Sequence, residues 1–260
     1  MSRYLLAQSP NPEAERQRLA LLQEYYDPWT IARLEKLGVA AGWRCLDVGA
    51  GAGSIAQWLA QRVGASGSVF AIDLDLRLLE PLATSTLTVH RLDVCAEELP
   101  KDADLVYSRL LLEHLPERET VLQRMIRALR PGGLIVVIAT DFRTVRFSEP
   151  DAALDRVTSS FAVATQTAGW NIQVGPALAS MLENAGLVDV AAESWQSYDR
   201  GGAASTLVAM TYRRLRDSLI QHGAGAADIE EVIDRLASAS VGMFSPTSWM
   251  AWGRRNPRRD

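Results

Sequence analysis

Lysine is nearly absent from this chain: Lys36 and Lys101 are the whole supply, although lysine and arginine together number 27. Arginine and alanine fill the gap, which reflects a GC-rich coding genome and says nothing about a site. Cysteine is scarce too. Cys45 and Cys95 are the only two; they flank expected strands and read as buried thiols, not as a disulfide or a metal set. No acidic or histidine cluster with ligand spacing marks a catalytic metal, so none is expected. No apolar run reaches the roughly 20 residues that span a bilayer, and Met1-Ser2-Arg3-Tyr4-Leu5-Leu6 lacks the apolar core of a signal peptide, so a cytoplasmic location without membrane attachment is expected. A basic excess is also missing. The formal net charge of -4 and the lack of a basic stripe exclude a nucleic-acid groove as the main working surface. Arg254, Arg255, Arg258 and Arg259 read as a solvated basic tail.

What is present suits a packed α/β protein. The 260 residues, 48% hydrophobic and 22% charged, fit one domain with modest insertions. Residues 11–37 carry helical periodicity, with Leu19, Leu22, Tyr26 and Trp29 on one face and a break expected at Pro28. Short apolar runs then alternate with helical stretches. Strands are expected at Arg44–Val48, Ser68–Asp73, Leu87–Leu92, Ala103–Tyr107 and Leu134–Ala139, with helices at Ser54–Arg62 and Glu119–Leu129 between them. This alternation predicts a doubly wound, mostly parallel sheet buried on both faces. Beyond residue 140 the pattern changes to loop and helix, then a helix over Ala177–Gly186, a strand over Leu187–Trp195, helices near 203–222 and 226–238, and a last strand around Ser248–Gly253. The expected organisation is an N-terminal helical lid (1–40) on an α/β domain (41–260) with helical insertions near 141–176 and 203–238.

The most informative stretch is Leu46-Asp47-Val48-Gly49-Ala50-Gly51-Ala52-Gly53, a strand breaking into a glycine loop that opens a helix. Glycines at alternate positions let the backbone turn sharply and approach a ligand closely, and the helix aims its free N–H groups at the same place. Dinucleotide, phosphate and adenosyl sites all use such a loop. Asp47 sharpens the choice: a carboxylate there repels a pyrophosphate but suits a ligand with an ammonium and a sulfonium, which points to S-adenosylmethionine. The rival pattern G-x-G-x-x-G/A fits from Gly51 to Ala56, but counted from Gly49, the first loop glycine, it fails at Ser54. An NAD-dependent dehydrogenase is therefore the lesser reading.

In open α/β sheets ligands bind beyond the carboxyl ends of the strands, and each strand brings a candidate there. Asp73 follows the second strand, where an ionised carboxylate can accept both hydroxyls of a ribose. Asp93 follows the third and can accept from the exocyclic amine of adenine, while Leu74 and Val94 can sandwich the purine. Ser108 and Arg109 follow the fourth; Arg109 and Glu113 are candidates for holding a substrate or a cofactor carboxylate. The set Asp47-x-Gly49-x-Gly51-x-Gly53, Asp73, Asp93-Val94 and Leu129-Arg130-Pro131-Gly132-Gly133 resembles a class I S-adenosylmethionine-dependent methyltransferase over residues 40–140, and Trp252-Gly253-Arg254-Arg255 with the N-terminal helices resembles a bacterial small-molecule subgroup. The resemblance implies a seven-stranded sheet whose last strand is antiparallel and inserted before the sixth. It also implies S-adenosyl-L-methionine as cofactor, held by Asp47, Gly49, Ala50, Gly51, Gly53, Asp73, Leu74, Asp93, Val94 and Arg109.

Methyl transfer needs an in-line nucleophile, with a base only where the nucleophile is protonated. Of the three histidines, His90 alternates within a strand and His222 ends a helix, but His114 follows the fourth strand at the expected site and is the candidate base. Tyr25, Tyr26 and Trp29 read as a lid over the methyl donor or as a hydrophobic staple. Trp170, Trp195, Phe142, Phe147, Phe161 and Met243 suggest a partly apolar small-molecule acceptor, methylated on O, N or C, as in secondary metabolism. The same fold also hosts S-adenosylmethionine-binding enzymes that cyclise, rearrange or decarboxylate instead of methylating. The oligomeric state is left open, a homodimer included.

Overall fold

The computed structural model describes residues 12–257. Its elements are, in order, α1 (Pro12–Lys36), β1 (Arg44–Val48), α2 (Ser54–Val63), β2 (Ser68–Asp73), β3 (Leu87–Arg91), β4 (Ala103–Arg109), α3 (Arg118–Ala128), β5 (Leu129–Asp141), β6 (Arg146–Phe147), α4 (Ala152–Thr167), α5 (Leu178–Asn184), β7 (Val188–Trp195), β8 (Tyr198–Asp199), α6 (Ala203–Arg214), α7 (Arg216–Gln221), α8 (Ala226–Ala237), β9 (Met243–Phe244) and β10 (Thr247–Arg254).

Seven strands form one sheet in the order β3-β2-β1-β4-β5-β10-β7. The first five are parallel, whereas β10 runs antiparallel to both β5 and β7. The sequence-predicted doubly wound sheet with an inserted antiparallel last strand is therefore the fold. From β1 the chain winds outward through β2 and β3, then crosses back to β4 and β5. The resulting switch point opens a crevice beyond the carboxyl ends of β1 and β4. Continuous apolar runs such as Cys45–Val48 and Leu105–Tyr107 are buried because helices cover both faces. One face buries Leu46, Val106, Ile135 and Met125; the other buries Leu34, Leu59, Leu105 and Val136.

A third core lies above the strand ends. Helices α4, α6, α7 and α8, with the small sheet β6-β9-β8, pack Val157, Phe161, Tyr212, Ile233 and Met243 against one another. Strands of two residues carry no readable period, so this small sheet had no signal in the sequence.

Two expectations change. Pro28 lies inside a continuous α1 and does not break it. Proline removes one backbone bond and crowds the preceding turn, at a cost of about 3 kcal/mol. Here Pro28 is exposed while Tyr26, Thr30 and Leu34 are buried on the opposite face, and that packing holds the helix straight through. Nor do all the C-terminal arginines make a solvated tail. Arg254 Nη1 donates to Gly132 O at 3.1 Å and Arg255 Nη1 donates to Leu129 O, so both clamp the Pro131-Gly132 bulge that starts β5. Arg258 and Arg259 lie outside the described residues.

Candidate active site

The crevice holds a cavity of about 760 Å³, toward the upper part of the roughly 300–1,000 Å³ range of small-molecule sites. Its floor is the β1–α2 loop, one end is the β2 and β3 exits, and its roof is α1 and α6. Gly49, Ala50, Gly51, Asp73, Leu74, Asp93, Val94, Arg109 and His114 all line it, although they come from four strand ends.

The glycine loop is fixed from below. Gly49 and Gly51 hold φ of 77° and 59°, the left-handed region that favours glycine. The N–H groups of Gly49 and Ala50 donate to Ile72 O at 2.8 and 3.1 Å. Asp73 supports the same loop: Oδ2 accepts from Gly51 N–H at 2.8 Å and Oδ1 from Asp75 N–H at 3.1 Å. Burial pushes its carboxyl above the usual range, and these backbone donors pull it back. A carboxylate oxygen has two lone pairs, so each retains capacity for a ligand hydroxyl. Leu74, 49% exposed, and Val94 stand beside the two acids, as a slot for a flat ring requires. Asp93 is tied into its own turn, with Oδ1 accepting from Cys95 N–H at 2.9 Å.

The structure places Asp47 and Gly53 off the cavity wall. Asp47 is 2% exposed beneath the loop and accepts from Ala56 N–H; burial pushes its carboxyl up to about 7, opposed by the Arg109 guanidinium. The argument that it presents a charge directly to a sulfonium does not hold, since its backbone partner is Ala56 in the first turn of α2. Gly53 caps α2 at φ 77°, where a Cβ would meet Leu82 at 2.6 Å and Leu79 at 2.8 Å. Close packing is its reason to be glycine. Gly53→Ala is expected to lower stability by about 1–3 kcal/mol, from left-handed strain and overpacking, read as a lower urea midpoint; an unchanged midpoint would refute this.

Arg109 is engaged already. Its Nη1 donates to Asp27 Oδ1 at 2.8 Å and its guanidinium lies 5.4 Å from the Tyr26 ring, so it ties α1 down over the cavity. Ser108 donates to Val48 O at 2.8 Å and clamps β4 to β1. Leu110, at φ 54°, turns the chain sharply out of β4 into the single 3₁₀ turn Leu112–His114.

That turn forms the other end of the cavity. Glu113 is 1% exposed; Thr140 Oγ1 donates to its Oε1 at 3.3 Å, and burial holds its carboxyl up to about 8. His114 packs against Trp170 with ring centroids 4.7 Å apart. Burial drives its imidazole down to about 3, so it stays neutral, far from the match to working pH that a general base needs. Of the six residues expected around an acceptor, Phe142 and Trp170 line the cavity. Phe161 and Met243 belong to the helical core, Phe147 packs against it, and Trp195 stacks on Tyr25 and Trp29 at 4.5 and 5.8 Å. Tyr25 and Tyr26 line the cavity, whereas Trp29 does not and stacks on Trp195. Thr140, Leu207, Val208 and Pro246 also line it; of these only Thr140, at a strand end, had a sequence signal. His90 stacks on Phe70 at 5.2 Å, and His222 Nδ1 lies 2.7 Å from Ser218 O. Neither lines the cavity. Among the described residues no group of three or more His, Cys, Asp or Glu is arranged to hold a metal, and no helix is long and apolar enough to cross a membrane.

Comparison with known proteins agrees with this geometry. A family model described as a methyltransferase domain matches residues 46–137, the span from the glycine loop to β5. Over that span the chain is similar to methyltransferase domains. The demethylmenaquinone methyltransferase of Staphylococcus aureus (strain MRSA252) is 30% identical to it over 128 residues, 47% of this chain and 53% of that protein. The chain thus spans about half the length of the curated relatives it matches. The methyltransferase fold extends further than the sequence match. The YcgJ protein of Bacillus subtilis superposes with a TM-score of 0.56 at 13% identity, covering 86% of this chain and 97% of that one. Phosphoethanolamine N-methyltransferase 2 of Haemonchus contortus, in complex with phosphomonomethylethanolamine and S-adenosylhomocysteine, gives 0.53 at 17% identity, covering 94% and 53%.

Proposed function

We propose that this chain transfers a methyl group from S-adenosylmethionine to a small, partly apolar acceptor. The observation that carries the reading is one continuous cavity with two chemically different ends. The loop end offers a glycine cradle, two acids and two apolar side chains, and these fit an adenosyl group. Gly51 holds a left-handed φ of 59°, and a Cβ there would stand in contact with Leu19 at 3.4 Å across the cavity. The other end offers aromatic and aliphatic walls.

Gly49, Ala50 and Gly51 would hold the cofactor by close backbone approach, Asp73 by its ribose hydroxyls, Asp93 by its adenine amine, and Leu74 and Val94 by the faces of its purine. When bound, it supplies a methyl group made electrophilic by the sulfonium. The rest falls to orientation and exclusion of water. Tyr25, with its hydroxyl donating to Ser245 Oγ at 2.7 Å, and Tyr26 close the roof. Phe142 and Trp170 wall the acceptor end. With His114 neutral and buried, we assign it to shaping that wall and assign no base.

Incubation with S-adenosylmethionine and a panel of aromatic hydroxyl and amine acceptors tests the reading. Acceptor-dependent build-up of S-adenosylhomocysteine with a methylated product is expected. Turnover of an acceptor without S-adenosylhomocysteine would place the chemistry among the non-methylating reactions of this fold.

A further inference from the structure

We infer that Arg18 makes the roof over the acceptor end an anion site, which selects a flat aromatic acceptor carrying a carboxylate. The inference deepens the methyltransferase reading and rests on it for treating the bound molecule as the acceptor. The site lies where α1 meets α6. On α6, Ala204, Leu207, Val208 and Thr211 line the cavity, and Arg214 continues that helix face one turn further on. There Glu15 of α1 takes two guanidinium groups. Arg18 Nε and Nη2 donate to its two oxygens at 3.1 and 2.5 Å, and Arg214 Nη1 donates to Oε2 at 3.4 Å. Two cations share one anion. Among the described residues neither of these arginines pairs with another acid, whereas Arg77 and Arg109 on the cavity wall each have their own, Asp75 and Asp27.

The surplus charge is open to a ligand. Arg18 lines the cavity and keeps 21% of its side chain exposed. Glu15 occupies the edge of the guanidinium that carries Nε, and Nη1 makes no hydrogen bond among the described residues. That leaves the far end of the fork for a planar carboxylate. Burial raises the Glu15 carboxyl, but the two arginines bring it below its ordinary range, so the cluster stays charged. Its field reaches the acceptor end, where Arg18 adds to burial in driving the His114 imidazole down. Glu113, the acid at that end, is 1% exposed with Oε1 taken by Thr140, so it shows no charge to the guanidinium. Asp73, Asp75 and Asp93 line the loop end instead. Charge therefore divides the cavity as shape does. The walls set the rest: Trp170 meets Phe142 edge-on at 5.5 Å, and rigid ring faces of this kind favour a flat molecule.

Calorimetric titration of the full chain with 2-naphthoate and 2-naphthamide, S-adenosylhomocysteine being present, tests the site. The two probes share a shape and differ in charge at neutral pH. The wild type is expected to prefer the carboxylate about tenfold, in line with a charge-assisted bidentate pair. Arg18→Gln should remove that preference and leave the amide within about threefold of its wild-type affinity, while Arg18→Lys should keep part of it. No naphthoate binding, equal affinities in the wild type, or equal weakening of both probes in Arg18→Gln would each overturn the inference. S-adenosylhomocysteine and 5′-methylthioadenosine, which lacks the amino-acid end, are titrated separately into the wild type and Arg18→Gln. Both should bind the two proteins alike. A loss confined to S-adenosylhomocysteine in the variant would assign the guanidinium to the cofactor's carboxylate and overturn the inference. Failure of both nucleosides to bind the wild type, with the naphthoate preference intact, would defeat the methyltransferase reading alone. Nucleoside binding without that preference would defeat the anion site alone.

Discussion

Asp73→Ala is expected to weaken S-adenosylhomocysteine binding about 100-fold. The carboxylate has two tasks. It accepts from Gly51 N–H and Asp75 N–H, which fixes the glycine loop, and in the proposed binding mode its remaining lone pairs accept from the ribose hydroxyls. Charge-assisted hydrogen bonds contribute about 1.5–3 kcal/mol. Removing the acceptor also frees a loop held in left-handed conformations at Gly49 and Gly51, so the upper end applies, about 3 kcal/mol or roughly two orders of magnitude. Asp47→Asn, off the cavity wall, should cost much less. Calorimetry on both variants decides: Asp73→Ala within threefold of the wild type would remove Asp73 from the site, and a larger loss in Asp47→Asn would restore Asp47 to it.

Stability of the unliganded protein should fall by about 2–3 kcal/mol between pH 6.5 and 9. Asp47 is held at about 7 against 3.8 in the unfolded chain, and Glu113 at about 8 against 4.5, burial being the main cause in both. The native state therefore binds these protons more tightly. The stability they contribute is fully present below about pH 4 and is lost as pH rises through 7 and then 8. At 1.36 kcal/mol per pKa unit, their loss over this window outweighs the smaller opposing effect of His114, which is driven down to about 3 and favours the native state above about pH 6.5. The surface carboxylates lowered by arginine, Asp75 and Glu98 among them, are ionised throughout and leave the slope alone. Urea unfolding at the two pH values measures the fall, and Asp47→Asn with Glu113→Gln should flatten it. A stability that rises with pH would contradict the burial of these two acids.

The half of the site proposed to hold the adenosyl group was legible because it is local. Each of Gly49, Asp73, Leu74, Asp93 and Val94 follows a short apolar run, and the rule that ligands sit beyond parallel strand ends gathers them without further information. Strand β2 begins and ends where its sequence pattern says, at Ser68 and Asp73. Direction was not legible at Asp47: spacing puts an acid in β1 but does not say that its carboxyl lies beneath the loop. Glycine identity was equally mute at Gly53, where two leucines from the β2–β3 connection crowd the backbone. The proposed acceptor end joins Glu113, Thr140, Trp170, Leu207 and Pro246, brought together by the packing of α6 and the helical core over the sheet. No periodicity in the chain encodes that docking. The apolar residues there divide between cavity and core in a way composition cannot show, so Phe142 and Phe161 look alike until folded.

The most direct measurement is calorimetric titration of the purified protein with S-adenosylmethionine, S-adenosylhomocysteine and NAD. Micromolar binding of the first two, with none for NAD, is the predicted result. Binding of NAD alone would mean that the glycine loop serves a dinucleotide, and would contradict the function proposed for this chain.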